Sequence, residues 1–333
     1  MLPARRSVLK FAVVGVLGSV LSRGRNAWAQ SAPPLVRTIQ TPILTIGFEE
    51  SGNPRGFPVI LLHGFPDDAR AWDQVVPPLA NDGCRVIVPY LRGHGLTRFR
   101  DATALRTGEQ AALGQDLIDL VNALGIERFA VAGYDWGGRA ACIVAALHPE
   151  RVRAAAIIGG YTIQDTLAPP QPAPPERERA LWYQWYFNTE RGRAGLEANR
   201  RSLCRLLWET WSPTWKFADE TFSKTAVSFN NPDFVDVAIH SYRHRNMNAP
   251  GEARFTEVER LLSKRPKIEV PAFVLYGAAD GVAGPPTTDP TADRINFPAL
   301  VERRVVNGAG HFLPRENPDA VSSAILQVLG GTR

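Results

Sequence analysis

Cysteine is scarce in this chain: Cys84, Cys142 and Cys204 are the whole supply, odd in number and widely spaced. That argues against a disulfide framework and marks the three as small buried apolar side chains. Long apolar runs are lacking as well. The stretch from Phe11 to Leu21 is about half of the roughly 20 residues that cross a bilayer, which argues against an N-terminal membrane anchor. An excess of one charge sign is also missing once the N-terminal segment is set apart. Of 38 basic residues, Arg5, Arg6, Lys10, Arg23 and Arg25 lie in a segment without a carboxylate, leaving 33 basic against 33 acidic. No electrostatic case remains for nucleic acid or an anionic membrane as partner. No internal repeat is visible, and the one biased segment beyond the N-terminus is proline-rich, Pro169 to Pro175. A chain of 333 residues with this ordinary composition is expected to form one main domain with an insertion.

The N-terminal segment reads Ala-Arg-Arg-Ser-Val-Leu-Lys at residues 4–10, then the apolar stretch, then Ala27-Trp28-Ala29 as a small-x-small cleavage signal. It resembles a bacterial twin-arginine export peptide. The resemblance implies cleavage after Ala29, a periplasmic or secreted protein, and no stable membrane association afterwards. Such cargo folds before export, so it needs no disulfides.

Beyond the leader, Thr38 to Phe48 alternates well enough for an edge strand, and Val59 to Leu62 is a continuous apolar run that suits a strand covered on both faces. Arg85 to Val88, Phe129 to Ala132, Ala154 to Ile158 and Phe273 to Tyr276 repeat the run, with helix-period segments between several of them. Leu113, Leu117, Leu120, Val121 and Leu124 form one helical stripe stopped by Gly125. Asn317 and Pro318 open a last helix that closes at Gly330. The rhythm predicts an α/β fold, a mostly parallel sheet flanked by helices. It stops between residues 161 and 270, where the proline-rich entry leads into tryptophan- and tyrosine-rich helical sequence. An inserted helical cap is expected there, with the core built from residues 30–160 and 271–333. Most of the cap aromatics are expected simply to pack cap onto core.

The stretch Phe129-Ala-Val-Ala-Gly-Tyr-Asp-Trp-Gly-Gly138 runs from an apolar strand through Gly133-x-Asp135-x-Gly137 into a helix. This is the pattern of a nucleophile elbow, whose turn is so tight that small residues are needed two before and two after the central one. Aspartate stands where serine is usual. At a helix N-terminus the backbone N–H groups and the helix dipole favour the ionised carboxylate, which attacks without a base to deprotonate it. A carboxylate attacks esters and amides poorly, yet it can displace an epoxide oxygen or a halide from saturated carbon and form an ester. In isolation Gly-x-Asp-x-Gly could equally be a capped turn, so its partners decide.

The first partner is His63-Gly64-Phe65-Pro66, directly after the Val59 to Leu62 run and therefore at the carboxyl edge of the sheet. With these motifs the chain resembles the epoxide-hydrolase branch of the α/β-hydrolase family, over roughly Thr38 to Leu329. The resemblance implies a cis proline after Phe65 and an oxyanion hole made by the N–H groups of Phe65 and Trp136. His63 reads as a buried structural histidine. In Gly308-Ala-Gly-His311-Phe the resemblance makes His311 the base that activates water, and in Gly277-Ala-Ala-Asp280 it makes Asp280 the acid that orients His311. The chain order Asp135, Asp280, His311 is that of the family. The loop Leu91-Arg-Gly-His-Gly95 resembles a family loop, with Tyr90 in place of its aspartate, and reads as scaffold.

Opening an epoxide leaves an alkoxide that needs a proton, and the resembled enzymes supply it from two cap tyrosines. Trp182-Tyr-Gln-Trp-Tyr-Phe187 resembles the first tyrosine's segment, which assigns Tyr183 as a proton donor, with Gln184 and Trp185 beside it as substrate-binding residues. Ser241-Tyr-Arg-His-Arg-Asn-Met247 resembles the second segment in two registers. One assigns Tyr242, which is preferred, and the other His244. His240 and His244 stand four apart on a helix, but no third ligand cluster accompanies them, so no metal is expected. No cofactor is expected either.

The competing chemistry is dehalogenation of a haloalkane or haloacetate, because haloalkane dehalogenases also place tryptophan where Trp136 stands. They commonly have asparagine or glutamate at the Phe65 position, which counts against that reading. Haloacetate dehalogenases resemble the Trp-x-Trp-Tyr-Phe portion and share Arg139, yet they carry arginine where Trp136 stands and histidine at the Gln184 position. A third alternative is a catalytically silent relative that binds a ligand or a protein. The expected partner is a small hydrophobic epoxide or halide.

Overall fold

A computed structural model describes Met1 and residues 35–331; the leader expected at residues 1–29, Met1 apart, lies outside them. Nine strands form one sheet: β1 (Leu35–Gln40), β2 (Leu44–Gly52), β3 (Pro58–Leu62), β4 (Arg85–Pro89), β5 (Arg98–Phe99), β6 (Phe129–Tyr134), β7 (Val152–Ile158), β8 (Ala272–Gly277) and β9 (Leu300–Val306). The order is β1-β2-β4-β3-β6-β7-β8-β9, with the short β5 beside β2. Pairs involving β1, β2 or β5 are antiparallel, and every pair from β4 to β9 is parallel. The central β6 is buried along its whole length, as its unbroken apolar run requires when helices cover both faces.

Two departures from the sequence reading have local causes. The single edge strand expected over Thr38 to Phe48 is a hairpin, β1 and β2, with its turn at Thr41 to Ile43. Thr41 closes that turn: its hydroxyl donates to the Leu44 carbonyl at 2.9 Å, and Pro42 has no N–H for a ladder. β9 carries no strand signature over its full length, because Leu-Val-Glu-Arg-Arg-Val-Val has no continuous apolar run. It is a sheet edge, where charged side chains are at home.

Helices Gln110–Ala123, Asp135–Leu147 and Pro318–Gly330 flank the sheet. Asn317 caps the last of them by accepting the Ala320 N–H at 3.0 Å. Between β7 and β8 the described chain forms helices only, the longest being Glu190–Trp211, kinked at Asn199. This segment and the sheet belong to one unit, Pro33–Arg333. The buried Trp208 donates its indole N–H to the Pro66 carbonyl at 2.7 Å, and Glu259 accepts from Gln110 and from the Ala111 N–H. Cys84, Cys142 and Cys204 are buried and not disulfide-bonded. No helix among the described residues is long and apolar enough to cross a membrane.

Candidate active site

β6 ends at Tyr134 and the helix begins at Asp135 itself, whose φ of 50° lies in the left-handed region that side chains usually avoid. The turn is tight because strand, helix and the β3 loop converge there. A Cβ on Gly133 would lie 2.4 Å from the Gly137 carbonyl oxygen, and one on Gly137 would lie 2.2 Å from that of Leu62. Glycine is therefore the residue that fits on either side of Asp135. Gly64 is equally constrained, since a Cβ there would meet the Asp135 Cβ at 2.5 Å.

The Phe65–Pro66 peptide is cis, and the Phe65 N–H donates to Asp135 Oδ1 at 2.8 Å. The other carboxylate oxygen, Oδ2, faces His311 Nε2 at 3.8 Å, beyond hydrogen-bond length. On its far side His311 Nδ1 is 3.0 Å from Asp280 Oδ2. Asp280 Oδ1 accepts the N–H groups of Val282 and Ala283 at 2.7 and 2.8 Å. Thus the loops after β3, β6, β8 and β9 bring Phe65, Asp135, Asp280 and His311 together at one sheet edge.

The electrostatics follow from this geometry. Burial alone would raise the Asp280 pKa, but the His311 charge and hydrogen bond and the two backbone N–H groups outweigh it and hold the pKa below its ordinary value. Burial likewise disfavours the His311 cation, yet Asp280, Asp135 and Glu316 overrule it and push His311 up to about 9. His63 and His94 fall to about 4 and about 3, chiefly by burial, which in His94 outweighs the upward pull of Asp67 and Asp135. His63 is structural here: Nδ1 lies 2.9 Å from the Gly64 carbonyl and Nε2 accepts the Leu91 N–H at 3.0 Å.

A cavity of about 480 Å³ opens beside these groups, lined among others by Asp135, His311, Tyr183 and Gln184. A larger open groove of about 640 Å³, between helices Glu190–Trp211 and Asp219–Ala226, is lined by none of them. Tyr183 is buried with its hydroxyl accepting from Gln184 Nε2 at 3.1 Å; burial first, then the Asp135 charge, raises its pKa to about 12. Tyr242 packs edge-on against Tyr183 at 5.3 Å and Phe65 at 5.5 Å and does not itself line the cavity. Its phenol is held protonated, its pKa well above the ordinary value, by burial and then by the Tyr183 and Asp135 charges. Trp136 is fully buried and stacks on Phe65 at 5.2 Å.

Two expectations need correction. His244 does not face Asp135: its Nε2 lies 3.6 Å from Glu109 Oε2 and its ring stacks on His240 at 5.7 Å. A helix turns about 100° per residue, so Tyr242 and His244, two apart, cannot share a face. Trp185 does not touch the cavity either. It is 43% exposed and donates its indole N–H to Glu178 at 2.7 Å, because its apolar neighbours Tyr183 and Phe187 take the inward positions.

Three supports escaped the sequence reading. Arg315 clasps the buried Asp67, which also accepts from the Tyr134 hydroxyl at 2.5 Å, so the loop after β3 is tied to the segment after His311. Glu316 accepts the Gly310 N–H at 2.7 Å and the Ser212 hydroxyl at 2.5 Å, fixing the His311 loop against the cap. Glu109, Glu259 and His244 offer ligand atoms within 4.8 Å of one another, an arrangement that could hold a cation. The carboxylates are already committed to Thr107, Gln110, Ala111, Thr166 and the Glu252 N–H, as expected of a tie between helices. None of these contacts has a spacing signature along the chain.

A family model of the alpha/beta hydrolase fold matches residues 58–318, so the chain belongs to the α/β-hydrolase fold family. Within it the relatives lie on the epoxide-hydrolase-like branch. Epoxide hydrolase A of Mycobacterium tuberculosis is 27% identical over 90% of this chain and 98% of its own. Rat bifunctional epoxide hydrolase 2 is 33% identical over 86% of this chain, which spans 54% of that longer protein. The crystal structure of a candidate epoxide hydrolase from Klebsiella pneumoniae superposes with a TM-score of 0.85 at 41% identity, covering 88% of this chain and 96% of the other. The protein is thus a hydrolase of the epoxide-hydrolase-like type.

Proposed function

We propose that the protein hydrolyses epoxides to vicinal diols through an ester on Asp135, and that it does so after export through its twin-arginine leader. The observation that carries the catalytic reading is the placement of Asp135 between a backbone N–H donor on Oδ1 and His311 on Oδ2, under the two buried tyrosines.

In the resting site His311, its pKa pushed up to about 9, is a cation at neutral pH and faces the Asp135 carboxylate. Asp135 attacks a ring carbon, the C–O bond breaks, and the departing oxygen takes a proton from Tyr183, assisted by Tyr242 behind it. The ester of Asp135 is neutral, so one of the charges that held the His311 proton has gone. The His311 proton passes to the tyrosinate, replacing the one given to the departing oxygen, and leaves His311 neutral and able to act as a base. His311 then deprotonates a water that attacks the ester carbonyl. The N–H groups of Phe65 and Trp136 stabilise the tetrahedral oxyanion, with each such donor contributing roughly 3 kcal/mol in related chemistry. Collapse releases the diol, its alkoxide taking the proton of the Asp135 carboxyl group, and restores the carboxylate and the imidazolium.

Dehalogenation is the second reading, favoured by one observation: Trp136 Nε1–H is buried without a hydrogen-bond partner among the described residues, as a halide-binding N–H would be. The two are separated by incubation with styrene oxide and with a haloalkane and haloacetate panel in water labelled with heavy oxygen. Diol formation with label entering the Asp135 peptide over repeated turnovers is expected. Absence of diol from a broad epoxide panel would sink the reading, halide release would promote the second, and inertness in both assays would point to a binding role.

A further inference from the structure

The cavity beside Asp135 is lined by four arginines, Arg139, Arg177, Arg245 and Arg265. None of them forms an ion pair with a carboxylate among the described residues. Arg139 is the buried one of the four, and arginines buried to a similar degree elsewhere are matched: Arg92 clasps Asp116 at 2.6 Å and Arg315 clasps Asp67. Arg139 is only 7% exposed, and its sole protein acceptor among the described residues is the Thr162 carbonyl, 3.1 Å from Nε. The remaining guanidinium N–H groups have no protein acceptor among the described residues. Arg177 Nη1 is buried with no hydrogen-bond partner among the described residues. Arg245 lies over the Tyr242 ring at 4.4 Å, and Arg265 over that of Tyr161 at 5.5 Å.

A buried cation without a counter-ion is costly, and neighbouring cations add to the cost. Burial, then the Arg245 charge, holds the Arg139 pKa down to about 10 against the upward pull of Asp135. The carboxylates that share the cavity lining do not match this charge. Asp280 is committed to His311, and Asp165, which accepts the Leu167 N–H at 3.0 Å, forms no ion pair with any of the four among the described residues. Asp135 is the remaining one, and it loses its charge on becoming an ester.

We propose that these arginines form a carboxylate-binding subsite, and that the substrate is an epoxide bearing a carboxylate a few bonds from the oxirane. Arg139 follows Asp135 by four residues on one helix, so the two side chains start roughly 6 Å apart on the same face. An acid group gripped there sets a nearby oxirane carbon against Asp135. The arginines also offset the repulsion that such a substrate would meet from the nucleophile, and guanidinium binds carboxylate bidentately. The inference rests on the epoxide reading for the reaction but not for the binding.

The test compares 3-phenylglycidate with its methyl ester as substrates, and cinnamate with methyl cinnamate as unreactive ligands, in the wild-type protein and in Arg245→Gln and Arg177→Gln. We expect kcat/KM for the acid to exceed that for the ester at least tenfold, and each variant to cut that ratio roughly tenfold, mainly through KM. Calorimetry should show cinnamate binding weakened to a similar extent in the variants. Diol formed from the ester as readily as from the acid overturns the subsite and leaves the epoxide reading standing. If neither epoxide is opened, the broad epoxide panel decides the epoxide reading and cinnamate decides the subsite: binding weakened by the variants upholds it, and no binding, or binding that the variants leave unchanged, overturns it.

Discussion

The two walls of the cavity are built differently. On the sheet side, Asp135, Phe65, Asp280 and His311 sit on loops that leave strand ends, and each has a defined hydrogen bond to its neighbour. On the cap side, Tyr183 and Tyr242 are held mostly by ring packing against Phe187, Trp211 and each other. A group held by short hydrogen bonds on a rigid sheet is positioned for bond making, whereas one held by packing need only bring a phenol near a departing oxygen. The sheet wall should therefore carry the steps that fail outright, and the cap wall those that merely slow.

The largest effect is expected from Asp135→Asn and His311→Gln, each lowering diol turnover by roughly 10⁴-fold or more, as for members of other covalent triads. They should differ in kind. Intact-protein mass after mixing with epoxide should rise by one substrate mass in His311→Gln, where the ester forms and persists, and stay unchanged in Asp135→Asn. An unmodified His311→Gln protein would break the assignment.

Next comes Asp280→Asn, with a loss of roughly 10²- to 10⁴-fold. Without that anion, burial should pull the His311 pKa down from about 9. The linkage sign follows. A raised folded-state pKa contributes stability that is fully present below the unfolded value near 6.5 and is lost as pH rises through about 9. Melting temperature should accordingly decline between those pH values more steeply in the wild type than in Asp280→Asn. Parallel curves would remove His311 from the explanation.

On the cap wall, Tyr183→Phe is expected to reduce turnover about 10- to 100-fold and Tyr242→Phe less, since general acid catalysis of about 10²- to 10⁴-fold is shared between two phenols and only Tyr183 lines the cavity. Steady-state rates on styrene oxide check this, and equal losses would place Tyr242 in direct contact with substrate. The smallest effects belong to His244→Gln and Trp185→Phe, where kcat should change less than about threefold because these side chains face Glu109 and Glu178. A large loss in His244→Gln would restore the histidine register.

Legibility in the sequence follows the same division. The apolar runs of β3, β4, β6, β7 and β8 reveal themselves because strands covered on both faces have no polar face to interrupt them. The hairpin of β1 and β2 and the charged edge β9 do not, since edges tolerate polar residues. Asp135 and Phe65 stand in short motifs because backbone crowding there leaves room for glycine alone, as the contacts around Gly64, Gly133 and Gly137 show.

The sequence by itself determined that Asp135 follows a strand in an elbow that demands glycines on both sides, and that a mainly parallel sheet surrounds it. Only the tertiary structure decided that Tyr242 rather than His244 joins Tyr183, that Trp185 faces outward, and that Arg139, Arg177, Arg245 and Arg265 share one cavity. Backbone sterics act between residues close in sequence or on adjoining strands and so leave a local signature. The direction of a side chain on a cap helix is set by packing against residues far along the chain, and no local pattern encodes it.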